Sequence, residues 1–156
     1  MQLRDRRTVV ICIGNELIAD DAAGYEVYCR LGAVAARVEY CGVGGVDILP
    51  LLDGETDLVV VDAVQLGAAP GTVHLLAWSE LPQSGPEISA HGLGLREAIE
   101  IGRILTPEQV PERVTLVGIE GRCFNRTREF MTREVSQAID RAVAAVRGLV
   151  EGGHNE

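Results

Sequence analysis

The chain has 156 residues, of which 47% are hydrophobic and 24% charged, and its formal net charge is −9. This length suits one domain with a hydrophobic core, so we expect a single domain over residues 1–156. The negative charge, carried by a chain without lysine, argues against nucleic-acid or anionic-membrane partners, because both require clustered basic side chains.

The first seven residues are charged and lack the apolar segment of a signal peptide. No apolar run reaches the length of a membrane span. These features predict a cytoplasmic protein, and the acidic composition without an obvious apolar stripe predicts a monomer. The four cysteines are far apart in sequence, so we expect free thiols, with Cys12 and Cys29 as small buried side chains.

The first predicted strand is Val9–Ile13, an apolar run typical of a strand buried on both faces. A glycine and an asparagine follow and predict a turn. Asp20 or Asp21 is then expected to cap a helix that runs to about residue 36. Glu16 therefore lies just beyond the carboxyl end of a strand, where open α/β sheets bind ligands.

The rest of the chain alternates predicted strands and helices. Strands are expected at 38–41, 58–64, 73–78 and 114–121, and helices at 46–52, at 95–105 and from Thr127 onward. The strand at 73–78 follows its predecessor too closely for a crossover helix, which predicts an antiparallel edge strand. This order predicts a three-layer α/β/α sandwich around a mostly parallel sheet of about five strands with one antiparallel edge strand.

Three predicted strands end in acidic residues, Glu16, Asp62 and Glu120, and His91 lies in a loop before a helix. Because parallel strands bring their carboxyl ends to one edge, these side chains can approach each other. Two carboxylates and one imidazole suit a divalent transition metal with open positions, and such a metal could activate water. The same residues also fit turn and capping roles, and spacing alone leaves both interpretations open.

Other polar residues and motifs narrow the choice of function. His74 is expected to face solvent on the edge strand, and His154 lies in a polar tail. The chain has no H-E-x-x-H motif, which excludes an ordinary metalloprotease site, and no G-x-S-x-G motif of a serine hydrolase. The acids of the first loop would repel a pyrophosphate, which argues against a dinucleotide site.

Four segments of the chain, in order, carry a combined signature. Residues 13–24, I-G-N-E-L-I-A-D-D-A-A-G, resemble the G-x-G-N-x-L-x-x-D-D-G-x-G motif of the hydrogenase maturation endopeptidases, with Ala22 where a glycine is usual. Residues 60–72, 89–95 and 116–120 are similar to later segments of that family. One departure is Cys41, which begins C-G-V-G where the family has an acid in a loop associated with substrate recognition.

The resemblance implies an endopeptidase that removes a C-terminal extension from the large-subunit precursor of a nickel–iron hydrogenase after nickel insertion. It also implies that Glu16, Asp62 and His91 contact the metal and act in catalysis. The nickel would then be supplied by the precursor, which is the expected partner, rather than stored as a cofactor. Other divalent metals could occupy the same site.

Two other functions remain compatible with the sequence. One is a non-enzymatic module of the same fold that senses nickel or assists assembly, which the altered loop at Cys41 suggests. The other is a processing protease that acts on an unrelated precursor.

Overall fold

The computed structural model describes residues 7–81 and 94–152. The strands in these ranges are β1 (Thr8–Ile13), β2 (Arg37–Cys41), β3 (Asp57–Val64), β4 (Val73–Ala77) and β5 (Arg113–Glu120). The α-helices are α1 (Ala23–Leu31), α2 (Leu95–Leu105) and α3 (Arg133–Glu151). Short 3₁₀ helices occupy Asp20–Ala22, Gly45–Leu51, Trp78–Glu80 and Arg128–Phe130.

The strands form one sheet in the order β2-β1-β3-β5-β4. The first four in this order are parallel, and β4 pairs antiparallel with β5 at the edge. The predicted sandwich, with its single antiparallel edge strand, is therefore confirmed. This order places β1, β3 and β5 side by side, so the loops that follow these strands meet at one edge of the sheet.

Each face of the sheet packs against its own helices. On one face, which we call the α1/α3 face, Cys12 and Val61 pack in a cluster with Ile139 of α3. On the other, the α2 face, Ile11 packs in a cluster with Ile99 of α2. All eight residues of β3 are buried, as expected for a central parallel strand covered on both sides.

The first helix is shorter than the sequence predicted. It ends at Leu31 because Gly32 adopts a φ of +65°, in the left-handed region that favours glycine. Asp20 and Asp21 lie in the preceding 3₁₀ helix, and neither side chain caps α1. The prediction that one of them caps the helix is therefore wrong.

The last helix also begins later than predicted. Thr127 precedes the 3₁₀ helix Arg128–Phe130, and α3 starts at Arg133. Phe130 is 46% exposed and does not belong to the buried stripe of α3. The segment between β5 and α3 is therefore a structured loop, and it is hydrogen-bonded to the loop that follows β1.

The four cysteines are free thiols, as predicted. Cys12 is buried in β1, and burial raises its pKa to about 12. Cys29 is exposed on α1, which contradicts the expectation that it is buried. None of the described helices is long and apolar enough to cross a membrane.

Candidate active site

Two glycines allow the first loop to fold tightly on the end of β1. Gly14 has a φ of +147°, and a Cβ atom there would lie 2.1 Å from the backbone oxygen of Asp21. Gly24 lies in α1 where a Cβ atom would be 2.0 Å from the carbonyl oxygen of Ile13. Neither position can hold a larger residue. Ala22 has an ordinary helical φ of −75°, so its position does not require the glycine that is usual in the motif.

Asp20 holds the first loop against the loop that follows β5. Its side chain is fully buried and accepts backbone N–H bonds from Arg122 and Cys123, both at 2.8 Å. Thr132 donates its backbone N–H at 2.7 Å and its hydroxyl at 2.6 Å. Four donors compensate the buried carboxylate, so Asp20 is a structural clamp between two loops at the carboxyl edge.

Asp21 fixes the turn that carries Glu16. Its carboxylate accepts the backbone N–H of Asn15 at 3.0 Å, and the residue is 5% exposed. The Asn15 side chain in turn accepts the N–H of Leu17 at 2.9 Å, which is an Asx turn. The 3₁₀ helix containing Asp21 packs against β3, the strand that carries Asp62. Asp21 is therefore a buried acid on an element that contacts the strand of Asp62.

Glu16 is only partly buried and lies beside a cluster of tyrosines. The ring centroids of Tyr25 and Tyr40 are 5.1 Å apart, and those of Tyr28 and Tyr40 are 5.7 Å apart. These are all three tyrosines of the chain. The Tyr40 hydroxyl donates a hydrogen bond to the carbonyl oxygen of Gly14 at 2.5 Å. The cluster therefore supports the turn from the side of α1.

The surroundings of Tyr25 and Tyr40 raise the pKa values of both hydroxyls. Burial raises the pKa of Tyr40, and the charges of Glu16 and Asp21 raise it further, against the opposing effect of a hydrogen bond from the Glu16 backbone. A hydrogen bond with Cys29 and then the Glu16 carboxylate raise the pKa of Tyr25. The protonated phenol of Tyr25 beside Glu16 can therefore donate a hydrogen bond to its carboxylate.

Asp62 lies in β3, two residues before the strand ends, and is 8% exposed. Its alternating neighbours Val60 and Val64 belong to the α2-face cluster, so the Asp62 side chain lies on that face. Asp62 pairs with Gly118 of β5, and Gly118 pairs with His74 of β4. The three residues form a row across the sheet in which an acid and a histidine flank a glycine.

Glu120 is the third acid at a strand end, and its carboxylate is held by Leu66 and His74. It is 3% exposed, and its two carboxylate oxygens accept the backbone N–H of Leu66 at 3.1 and 2.9 Å. Its Oε1 also lies 3.0 Å from Nε2 of His74. The His74 side chain is 18% exposed, so the prediction of a solvent-facing histidine is wrong. Glu120 therefore joins β5 to β4 through His74, and to the connection between β3 and β4 through Leu66.

The predicted set of Glu16, Asp62 and His91 remains a prediction. Glu16 and Asp62 both lie at the carboxyl edge, Glu16 towards the tyrosines and Asp62 on the α2 face. His91 lies outside the described residues, and it precedes α2 in sequence. Within residues 7–81 and 94–152, no three His, Cys, Asp or Glu side chains are close enough to hold a metal ion.

The loop that departs from the family motif lies beside the first loop. The Gly14 N–H donates to the carbonyl oxygen of Cys41 at 3.1 Å, and the Cys41 side chain packs on the α2 face. Burial raises the pKa of the Cys41 thiol, and the charge of Asp47 raises it further. Val43, in the following loop, is 59% exposed. The loop after β2 therefore presents a neutral thiol and an exposed apolar side chain next to the first loop.

Two supports of the site were missed from the sequence. The first is the Asp20 clamp, whose partners lie more than 100 residues away and give no local signal. The second is the tyrosine cluster. Its only signal was the spacing of Tyr25 and Tyr28, which places them three residues apart on one side of a helix.

The fold and the edge just described define the class of protein. The chain is similar to the hydrogenase maturating endopeptidase HybD from Escherichia coli, with a TM-score of 0.76, 25% identity and 94% of each chain covered. It is also similar to the [NiFe] hydrogenase maturation protease HybD from Thermococcus kodakarensis, with a TM-score of 0.75 and 23% identity, over 92% of this chain and 99% of that one. The architecture is thus that of maturation peptidases.

Sequence comparisons identify the family. Residues 37–148 match the family model described as hydrogenase maturation protease. The hydrogenase expression/formation protein HupD of Rhodobacter capsulatus is 30% identical over 154 residues, covering 94% of this chain and 72% of that protein. The chain belongs to the hydrogenase maturation protease family. It is accordingly a hydrolase that acts in hydrogenase maturation.

Proposed function

We propose that the protein removes a C-terminal extension from the large-subunit precursor of a nickel–iron hydrogenase after nickel has been inserted. The observation that carries this proposal is the position of Asp62. It is a buried acid on a central strand, at the edge where the loops after β1, β3 and β5 meet. An acid in this position within a protease family supports a role in hydrolysis rather than in folding alone.

In this proposal Glu16, Asp62 and His91 engage the nickel that the precursor already holds. The metal is part of the substrate, and its oxygen and nitrogen contacts position the scissile peptide at the edge of the sheet. A water molecule attacks the peptide carbonyl, the C–N bond breaks, and the released amine takes a proton. The neighbouring carboxylates are suited to accept the proton that the attacking water loses.

Asp21 is a second candidate for the acid that the first loop contributes. Glu16 is partly exposed beside the tyrosines, whereas Asp21 is 5% exposed and belongs to the 3₁₀ helix that packs on the strand of Asp62. A buried carboxylate on an element that contacts β3 can exchange its hydrogen bond to Asn15 for a metal contact. The two acids are therefore tested side by side.

The test is processing of a nickel-loaded precursor, followed by intact mass spectrometry. We expect the wild-type protein to shorten the precursor once, and His91→Ala to lower the rate at least about 100-fold. His154→Ala is the matched control, because it removes a tail histidine. Comparing Glu16→Gln with Asp21→Asn then identifies the acid of the first loop as the one whose loss stops cleavage.

The same assay separates the other possible functions. A non-enzymatic nickel-sensing module would bind the precursor and leave its mass unchanged. A protease for an unrelated precursor would neither bind nor cut this one. Normal cleavage by His91→Ala would remove His91 from the proposed site while leaving the activity itself in place.

A further inference from the structure

The loop between β5 and α3 concentrates positive charge in an acidic protein. We call residues 122–133 the arginine loop. It contains four of the 14 arginines of the chain, at positions 122, 126, 128 and 133, and a single acid, Glu129, although the net charge of the whole chain is −9. Both phenylalanines of the chain also lie in this loop.

The arginine loop is joined to the first loop at the carboxyl edge. Ile18 and Thr127 form an antiparallel bridge. The N–H of Ala19 donates to the carbonyl of Arg126, and the N–H of Arg128 donates to the carbonyl of Leu17, both at 3.0 Å. These contacts and the Asp20 clamp place the arginines directly beside the residues that follow Glu16 in sequence.

Three arginines of this loop carry charge that the described fold does not neutralise. Arg128 makes an ion pair with Glu26 and lies over the ring of Tyr25. Within the described part of the chain, no ion pair joins Arg122, Arg126 or Arg133 to a carboxylate. These three cations are exposed to solvent.

One of these cations is already held in a fixed position. The Arg126 guanidinium lies 3.9 Å from the centroid of the Phe130 ring, and Phe130 is 46% exposed. A guanidinium stacked on an aromatic ring loses little further freedom when it binds a carboxylate, and it can do so through two parallel hydrogen bonds. The flat ring beside it offers apolar contact to a peptide.

We propose that the arginine loop binds the C-terminal extension of the precursor, with Arg122, Arg126 and Arg133 attracting its terminal carboxylate. This inference rests on the proposed function. A C-terminal extension of any length carries at least one carboxylate, that of its own C-terminus. The arginine loop offers a surface of opposite charge and is joined to the first loop, which carries Glu16.

The experiment measures processing of the nickel-loaded precursor by a variant in which Arg122, Arg126 and Arg133 are all replaced by Gln. We expect KM to rise roughly 10- to 100-fold with little change in kcat, because exposed charge pairs contribute up to about 1 kcal/mol each. Arg113→Gln is the control, since Arg113 lies at the amino end of β5 and is exposed on the opposite edge of the sheet. It should leave KM unchanged.

A second measurement locates the contact on the substrate. Binding of uncut precursor and of trimmed large subunit is compared for the wild type and the triple variant. We expect the substitutions to weaken binding of the uncut precursor alone. An equal loss for the trimmed subunit would overturn the inference and assign the loop to the body of the precursor.

The outcomes distinguish this inference from the proposed function. If the wild type cuts the precursor and the triple variant does so with the same KM, the arginine loop is not the binding surface. If the wild type does not cut at all, the proposed function fails. The binding comparison then still decides whether the loop recognises the extension.

Discussion

The two halves of the first loop show how one acidic stretch of sequence serves two purposes. Its outer half, residues 15–18, includes the partly buried Glu16 and Leu17, which is 69% exposed. Its inner half, residues 19–22, is buried, and Asp20 within it accepts four hydrogen bonds. The fold uses the inner acids to hold the edge together and leaves the outer residues available to a partner.

Asp20→Ala gives the largest expected difference between the halves. Removing this carboxylate leaves buried donors on Arg122, Cys123 and Thr132, so the free energy of unfolding should fall by about 3–5 kcal/mol. Glu16→Ala, in the outer half, should change it by less than about 0.5 kcal/mol. Urea unfolding of the two variants measures the contrast. Equal losses would show that the halves do not differ in the way proposed.

Gly24→Ala tests the close contact between the start of α1 and the end of β1, next to the inner half of the first loop. A Cβ atom at this position would lie 2.0 Å from the Ile13 carbonyl oxygen, so we expect a loss of about 3 kcal/mol. Gly148→Ala in α3 is the matched control, because a Cβ there meets nothing within 4 Å. It should stabilise the protein by about 0.5–1 kcal/mol. Thermal unfolding of both variants would show opposite shifts in Tm.

Tyr40→Phe tests how the tyrosine cluster supports the outer half, and its expected effect on stability is smaller. It removes the hydroxyl that donates to the Gly14 carbonyl, and we expect a loss of about 1 kcal/mol in stability. Tyr28→Phe keeps the ring cluster and should be close to neutral. A matching stability for the two variants, measured in urea, would argue that the Tyr40 hydroxyl does not support the turn.

Alkylation of the thiols compares the buried strand β1 with the exposed surface of α1, and it requires no substitution. The pKa of Cys12 is raised to about 12 by burial, so at pH 8 it is almost entirely the unreactive thiol, whereas Cys29 is exposed. We expect iodoacetamide to label Cys29 first and Cys12 only on unfolding, as followed by peptide mass mapping. Early labelling of Cys12 in the folded protein would show that the core between β1 and helices α1 and α3 opens readily.

Much of the sheet was predictable because β1, β3 and β5 are continuous apolar runs that signal buried parallel strands. The start of α3 was not, because Thr127 is a plausible cap whose role was decided by its bridge to Ile18, far away in sequence. A capping residue can instead be used in a tertiary contact. Here Thr127 bridges Ile18, and α3 begins six residues later, at Arg133.

Part of the edge was predictable for the same reason. The apolar run of β3 ends in an acid, which predicted Asp62 at the carboxyl end of a buried strand, and Asp62 lies two residues before that end. The sheet face that its side chain occupies was not predicted. The pairing of Glu120 with His74 could not be foreseen, because it depends on the register of an antiparallel edge strand. Which acid of the first loop faces Asp62 depends on the packing of the 3₁₀ helix, which sequence periodicity does not report.

The proposed catalytic edge is built around Asp62, so the decisive measurement is the mass of a nickel-loaded precursor after incubation with Asp62→Asn. We predict that the wild-type protein removes the extension and that the variant leaves the precursor at full mass. The variant should remain folded by circular dichroism, because asparagine has nearly the same shape. Cleavage by Asp62→Asn at the wild-type rate would contradict a catalytic edge built around this residue.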